Sequence, residues 1–449
     1  MSSYTIDEVT IVNEGRRFVG SLSVRDGLIA EVRETPSVPE ASRAGGAGEL
    51  LLLPGVIDEH VHFREPGLTH KADIASESRA AAAGGVTTYF DMPNCVPQTT
   101  TPDAWEDKMR RAEACSAVNY AFYFGATNDN AALFPRLDTR HVPAVKLFMG
   151  SSTGDMLVER REALRRVFAE SPLPIVAHCE DSALIARNLA RIRAFHGDDP
   201  DVRFHPLIRN REACIASTRL AAGLAEEYGA RLLVAHVTTA EELDMASASV
   251  SLEACVPHLL FTSDDYAALG TRIKCNPAVK ERADREALRR ALSDGRILTV
   301  GTDHAPHLLE EKRGGAIRAV SGMPMVQYSL VAMLGLVDEG VLTPERLVEL
   351  MCHAPARFFG IERRGFLRPG YKADFVLVRR APWTLRREQV LSKCGWSPLE
   401  GRTFGWRVER TYCNGRLVFD GSSVATDARG EAVTFRQEVI LPRRGSCTS

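Results

Sequence analysis

Short apolar runs alternate with amphipathic stretches through the middle of this chain, and the two ends follow a different pattern. From Gly55 to about residue 360, eight runs have the length and make-up of buried strands: 55–60, 86–92, 120–125, 144–148, 175–178, 232–236, 252–255 and 297–301. Between them lie segments of helical periodicity, such as REALRRVFAE (161–170), ACIASTRLAAGLAEEYG (213–229) and ADREALRRALSDG (283–295). Eight strands alternating with helices over ~300 residues predict an α/β fold, a (β/α)8 TIM barrel. A doubly wound open sheet would give the same alternation. The barrel is favoured because polar residues fall at the C-terminal ends of many different strands, and only a barrel gathers those ends into a single mouth.

The ends read as strands of period two. TIDEVTIVNEG (5–15) and GSLSVRDGLIAEVRE (20–34) alternate apolar and polar residues around Gly-bearing turns. A Pro/Ala/Gly-rich loop is expected over Pro36–Gly48, before the apolar burst Leu50–Leu53 and the break at Pro54-Gly55. After Gly360, GFLRPGYKADFVLVRR (365–380) and RVERTYCNGRLVFDG (407–421) look like hairpins, with Asn414-Gly415 a strong two-residue turn signal. These pieces are too short to fold alone, so both ends are expected to pair into one small β-sandwich. The expected division is 1–53 and 363–449 for the sandwich and tail, and 54–362 for the barrel. The tail RRGSCTS (443–449) is expected to fray.

Composition narrows the class. The chain has 449 residues, more than one ordinary core needs, and its apolar (45%) and charged (25%) fractions are those of a globular protein. Net charge is -2, without the basic excess that phosphate neutralisation favours, so no nucleic-acid partner is expected. The ten cysteines are scattered, several within apolar runs, and form no CxxC pair. They read as reduced thiols of a cytoplasmic protein. Acids near the N-terminus argue against a signal peptide, and no apolar stretch of about 18 residues predicts a membrane span.

The densest chemical signal is Asp58-Glu59-His60-Val61-His62-Phe63-Arg64-Glu65-Pro66-Gly67. Residues i and i+2 of a strand share a side, so His60 and His62 point together, either to a metal or into ordinary hydrogen bonds. His178 closes one apolar run and His236 the next; each alone is a common rim residue. Asp303 follows another run, where an aspartate often caps a helix. In a barrel all five project into one mouth. Four histidines and a carboxylate exceed a single catalytic zinc site, which suggests two metals. Lys146 lies on the strand between the HxH strand and the His178 strand. It reads either as a snorkelling or ion-paired lysine, or as a buried amine able to add CO2 and bridge two metals as a carbamate.

Taken together, DEHVHFREPG (58–67), THKADIASESRAAAAGGVTTYFDMPN (69–94), VKLFMG (145–150), AHCED (177–181), HPLIRNREAC (205–214), LLVAHVTT (232–239), KCNP (274–277), GTDHAPH (301–307) and GMP (322–324) resemble the amidohydrolase superfamily and, within it, the dihydroorotases. The resemblance implies one zinc on His60 and His62, a second on His178 and His236, carboxylated Lys146 between them, and Asp303 as a ligand of the first metal and proton shuttle. Arg64, Asn94, Asn276 and His307 would hold the substrate, and Gly322 would let main-chain groups approach it. The implied reaction is reversible cyclisation of N-carbamoyl-L-aspartate to L-dihydroorotate, in pyrimidine synthesis, by a zinc-activated hydroxide. Glu180 and Asp181 would orient His178 or cap the next helix. The loop departs from the family pattern at Asn276-Pro277-Ala278-Val279-Lys280, where Lys280 stands for an arginine.

Two alternatives carry their own discriminators. An allantoinase or a dihydropyrimidinase/hydantoinase would use the same metal set but would not need Arg64, since its ring carries no carboxylate. A non-catalytic scaffold would be expected to have lost ligands, whereas all six positions are filled. A homodimer is one assembly the sequence leaves open.

Overall fold

The structure, a computed structural model, describes residues 3–35, 48–150 and 156–436. The expected loop up to residue 47 and the tail RRGSCTS lie outside the described residues.

The chain opens as a meander of β1 (Ser3–Asn13), β2 (Arg16–Arg25) and β3 (Leu28–Glu34). Its turns are Glu14-Gly15 and Asp26-Gly27, with positive φ at all four residues (51°, 73°, 53° and 79°), as two-residue hairpins of right-handed twist require. β4 (Leu50–Pro54) then lies parallel to β1, with Leu51 opposite Thr10.

The eight expected staves all form. They are β5 (Val56–Val61), β6 (Val86–Asp91), a stave split into β7 (Asn119–Phe122) and β8 (Phe124–Gly125), β9 (Val145–Met149), β10 (Ile175–Cys179), β11 (Leu232–Val234), β12 (Val250–Cys255) and β13 (Thr299–Gly301). All pair in parallel; β7 bonds β6 while β8 bonds β9. The ring closes between β13 and β5. His62 N–H donates to the His304 carbonyl at 2.8 Å, His304 N–H to the His60 carbonyl at 3.3 Å, and Thr302 N–H to the Asp58 carboxylate at 3.1 Å. Closure distinguishes the barrel from an open sheet. The expected helices are Arg161–Glu170, Arg211–Tyr228 and Arg282–Asp294.

The barrel interior is packed rather than hollow. Ile57, Ala121, Val176 and Leu233 form one apolar cluster with Phe359 and Phe435, which fill the N-terminal end. Phe435 arrives on the segment 430–436, which crosses beneath the staves: Val433 N–H donates to the Tyr120 carbonyl and Phe435 N–H to the Arg140 carbonyl, both at 2.9 Å. Polar chemistry is thereby confined to the opposite, C-terminal mouth.

The chain ends supply β14 (Phe375–Thr384), β15 (Thr403–Cys413) and β16 (Arg416–Phe419), with Asn414 and Gly415 both at positive φ in the expected turn. One sheet results, in the order β16-β15-β14-β4-β1-β2-β3. β4 is the seam, parallel to β1 and antiparallel to β14. The sheet curls over on itself. Tyr4 of β1 and Tyr412 of β15 lie three strands apart in that order, about 14 Å if the sheet were flat, yet their ring centroids are 5.5 Å apart. Ile11, Leu22, Leu52 and Phe375 fill the sandwich so made. Its other face, with Val378, Trp406 and Val408, joins the apolar cluster around the barrel helices. All nine described cysteines are free, and no described helix is long and apolar enough to cross a membrane.

Candidate active site

His60, at the end of β5, and His62, just beyond it, turn Nε2 toward the same oxygen, Oδ1 of Asp303, at 3.4 and 3.0 Å. Ligand atoms of these three residues all lie within 4.8 Å of one another. The opposite ring nitrogens show where the protons are. His60 Nδ1 is 3.0 Å from a Glu253 carboxylate oxygen and His62 Nδ1 is 2.7 Å from Asn94 Oδ1. Both partners accept, so both Nδ1 atoms donate, and the Nε2 lone pairs face the Asp303 carboxylate. Acceptors facing acceptors at this range call for a cation between them.

A second pair of imidazoles stands beside the first, with the His60 and His236 rings 5.1 Å apart. His178 Nε2 donates to Glu180 Oε2 at 2.8 Å, so its Nδ1 lone pair faces His236 Nε2, 3.0 Å away. Burial pushes His62 down to about 4 and lowers His178 and His236, leaving neutral imidazoles, the form that binds metal.

Lys146 lies in β9 beneath these groups. Its side chain is wholly buried, and Nζ has no hydrogen-bond partner among the described residues, only the face of Phe148 at 5.1 Å. Burial pushes its pKa down to about 8. A snorkelling or ion-paired lysine would show neither feature.

The two readings of Glu180 and Asp181 divide between them. Glu180 fixes His178 and is itself gripped by Arg209 at 2.7 Å, whereas Asp181 caps the helix Ser182–His196 by accepting from Leu184 N–H at 2.8 Å.

Above these groups opens a cavity of about 520 Å³, lined among others by Arg64, Asn94, Asn276, His307 and Gly322. Arg64 donates through Nε to the Pro306 carbonyl at 3.0 Å and places Nη2 2.9 Å from His307 Nε2. It is buried and forms no ion pair with a carboxylate of the described residues. Gly322 sits at φ +131°, and a Cβ there would come within 2.9 Å of the His307 ring and 2.7 Å of the Ala305 carbonyl. Arg64, His236 and Asp303 also have positive φ (70°, 39° and 48°), a conformation disfavoured for side-chain-bearing residues and concentrated at functional sites. Lys280 does not line this cavity; its Nζ donates to the Ala278 carbonyl at 2.8 Å and faces a separate cavity.

Sequence reasoning missed several partners. Glu253 lies in SLEACV, where a carboxylate inside an apolar run is itself a signal. Arg209 and Lys71 sit inside the motifs above, but nothing local marks which residues they hold. Trp396 carried no local signal.

Residues 51–418 match the Amidohydrolase family. The chain belongs to that family. Like other amidohydrolases it is a hydrolase. It is 36% identical over 426 residues to a dihydroorotase of Halobacterium salinarum, covering 91% of this chain and 98% of that one. It is 34% identical over 448 residues to an allantoinase of Rubrobacter xylanophilus, covering 96% and 97%. The solved structure of an L-hydantoinase (dihydropyrimidinase) from Arthrobacter aurescens is similar, with a TM-score of 0.88 at 27% identity, over 96% of this chain and 99% of that chain. The barrel with a sandwich from both ends is therefore shared with that hydantoinase.

Proposed function

We propose that this cyclic amidase is a dihydroorotase, interconverting N-carbamoyl-L-aspartate and L-dihydroorotate in pyrimidine synthesis. Arg64 carries the reading. A buried guanidinium that feels Asp303, Asp91 and Glu311 only at longer range and pairs directly with no carboxylate of the described residues is costly, and a substrate carboxylate in the adjoining cavity would give it a bidentate partner.

The residues fit a pair of divalent metals, zinc by their nitrogen and oxygen donors. His60, His62 and Asp303 would hold one, His178 and His236 the other. Lys146 fits the bridge, because its partnerless buried amine is relieved on becoming an anionic carbamate between them. Bound there, the metals would lower the pKa of a water and polarise the ring carbonyl. The chain's own groups do the rest. Arg64 and His307 bind the substrate carboxylate, and Asn94 and Asn276 hydrogen-bond to it or to the ring. In ring opening, Asp303 takes a proton on its carboxylate from the attacking water and passes it to the leaving ring nitrogen. Glu253, Glu180 and Asn94 hold His60, His178 and His62 respectively in the tautomers that leave their metal-facing lone pairs free. This reading also puts the enzyme in the cytoplasm with a small-molecule substrate.

The allantoinase among its relatives favours a second reading, hydrolysis of an uncharged cyclic ureide. A two-substrate assay separates them. The dihydroorotase reading expects turnover of L-dihydroorotate and cyclisation of N-carbamoyl-L-aspartate. Turnover of allantoin with none of dihydroorotate would overturn it.

A further inference from the structure

Arg64, Lys71 and His307 meet at one side of the cavity, and their contacts do not balance as hydrogen bonds. The buried His307 ring lies between two cations: Arg64 Nη2 is 2.9 Å from Nε2, and Lys71 Nζ is 3.1 Å from Nδ1. Both neighbours can only donate. A neutral imidazole has one lone pair, so it accepts from one neighbour and meets the other N–H to N–H. A doubly protonated ring would meet both that way as a third clustered cation. Burial, with Arg64 and Lys71 beside it, instead holds the ring neutral.

The two neighbours differ in how they are held. The Lys71 ammonium is anchored on Glu311 at 2.7 Å, in a buried position that keeps it against Nδ1. Glu311 itself is 3.6 Å from Nδ1, too far to accept a proton there. Arg64 is fixed through Nε to the Pro306 carbonyl, which leaves Nη2 directed at the ring edge. Gly322 closes off the ring edge at Cδ2, the carbon bonded to Nε2, where a Cβ on it would come within 2.9 Å.

We propose that Lys71 is a positioning residue that donates to His307 Nδ1, fixes the ring proton on Nε2, and so makes the Nε2–H and the Arg64 fork converge on a single acceptor, a substrate carboxylate oxygen. Only the identity of that anion rests on the dihydroorotase reading. Without an acceptor the two donors oppose each other; a carboxylate oxygen between them converts the opposition into two charge-assisted hydrogen bonds. A ring without a carboxylate offers no such relief, so Lys71 contributes to selecting anionic substrates although it acts through His307.

The test is a two-bond 1H–15N correlation spectrum of the full-length, metal-loaded protein labelled with 15N-histidine, recorded without substrate. His307 is assigned by the signals lost in His307→Asn. The expected ring is the Nε2–H tautomer in the native protein and in Lys71→Arg, shifted toward Nδ1–H in Lys71→Met. A native Nδ1–H ring, or a Lys71→Met spectrum equal to the native one, would overturn the proposal. With L-dihydroorotate, Lys71→Met is expected to raise KM about tenfold, on the order of one charged hydrogen bond, with a smaller fall in kcat, and Lys71→Arg to restore most of it. A fall confined to kcat speaks against it. Failure of the native enzyme to turn over dihydroorotate would instead remove the substrate assignment, while the spectrum still decides the role of Lys71.

Discussion

Trp396 donates its indole N–H to the carbonyl of His307 at 2.7 Å, although the two residues belong to different layers of the molecule. Trp396 lies in the excursion between β14 and β15, strands of the sandwich, yet it is wholly buried behind the barrel mouth. The segment from the sandwich thus braces His307, a residue of the mouth cavity's wall, from behind. Trp396→Phe keeps the ring and removes the donor. It is expected to cost about 1 kcal/mol of stability and to raise KM for dihydroorotate several-fold while kcat changes little. Thermal unfolding and steady-state kinetics check this; an unchanged KM with lowered stability would limit Trp396 to packing.

Arg64 makes a sharper prediction. Arg64→Ala is expected to lower kcat/KM for dihydroorotate by at least ~2 kcal/mol of transition-state stabilisation, the scale of a charged hydrogen bond. Arg64→Lys is expected to recover little, because an ammonium cannot hold the Pro306 carbonyl and present a planar fork together. An unaltered kcat/KM in Arg64→Ala would remove it from the substrate site.

Under the proposed bridge, the acidity of Lys146 governs metal loading. Its pKa, pushed down by burial from 10.5 to about 8, means the neutral amine becomes the major form above that pH. In metal-depleted protein held at a fixed level of dissolved CO2, recovery of activity on adding zinc is expected to speed up as pH rises through about 8 and then level off. A rate still climbing toward pH 10 would indicate an ordinary exposed lysine. Lys146→Arg, always protonated, is expected to bind less than two zinc ions per chain and to be inactive, with metal content read by elemental analysis.

Glu253 holds His60 Nδ1 and the His236 N–H at once, each at 3.0 Å. Glu253→Gln is expected to weaken metal affinity about 10–100-fold, as outer partners of ligating histidines do, without unfolding the protein. Chelator competition measures it, and native-like affinity would refute the role.

Much of the architecture could be read from the chain because parallel buried strands are continuous apolar runs, and helices such as Arg161–Glu170 keep their period. His60, His62, His178, His236 and Asp303 stood out because each ends such a run. The interruption at Tyr123 was not visible: its hydroxyl turns inward to the Glu59 carbonyl at 2.8 Å, an interaction without local sequence signature. Nor was the curl that brings Tyr4 onto Tyr412, since twist accumulates over strands from both ends of the chain. The partners that set ring protons, Glu253 for His60 and Lys71 for His307, are separated from them by long stretches of chain, and only the fold brings them together. Lys280 shows the converse, a departure from the family motif that does not reach the cavity.

The seam strand β4 is synthesised roughly 300 residues before its partner β14, a separation that makes pairing slow. The floor of the barrel waits longer still, for Phe435. A nascent chain therefore carries an exposed strand edge and an uncovered apolar floor for nearly the whole of translation, the condition in which chaperones are most needed. A premature stop even a few codons before Phe435 would leave every proposed ligand in place above a floor missing one of its two large aromatic plugs.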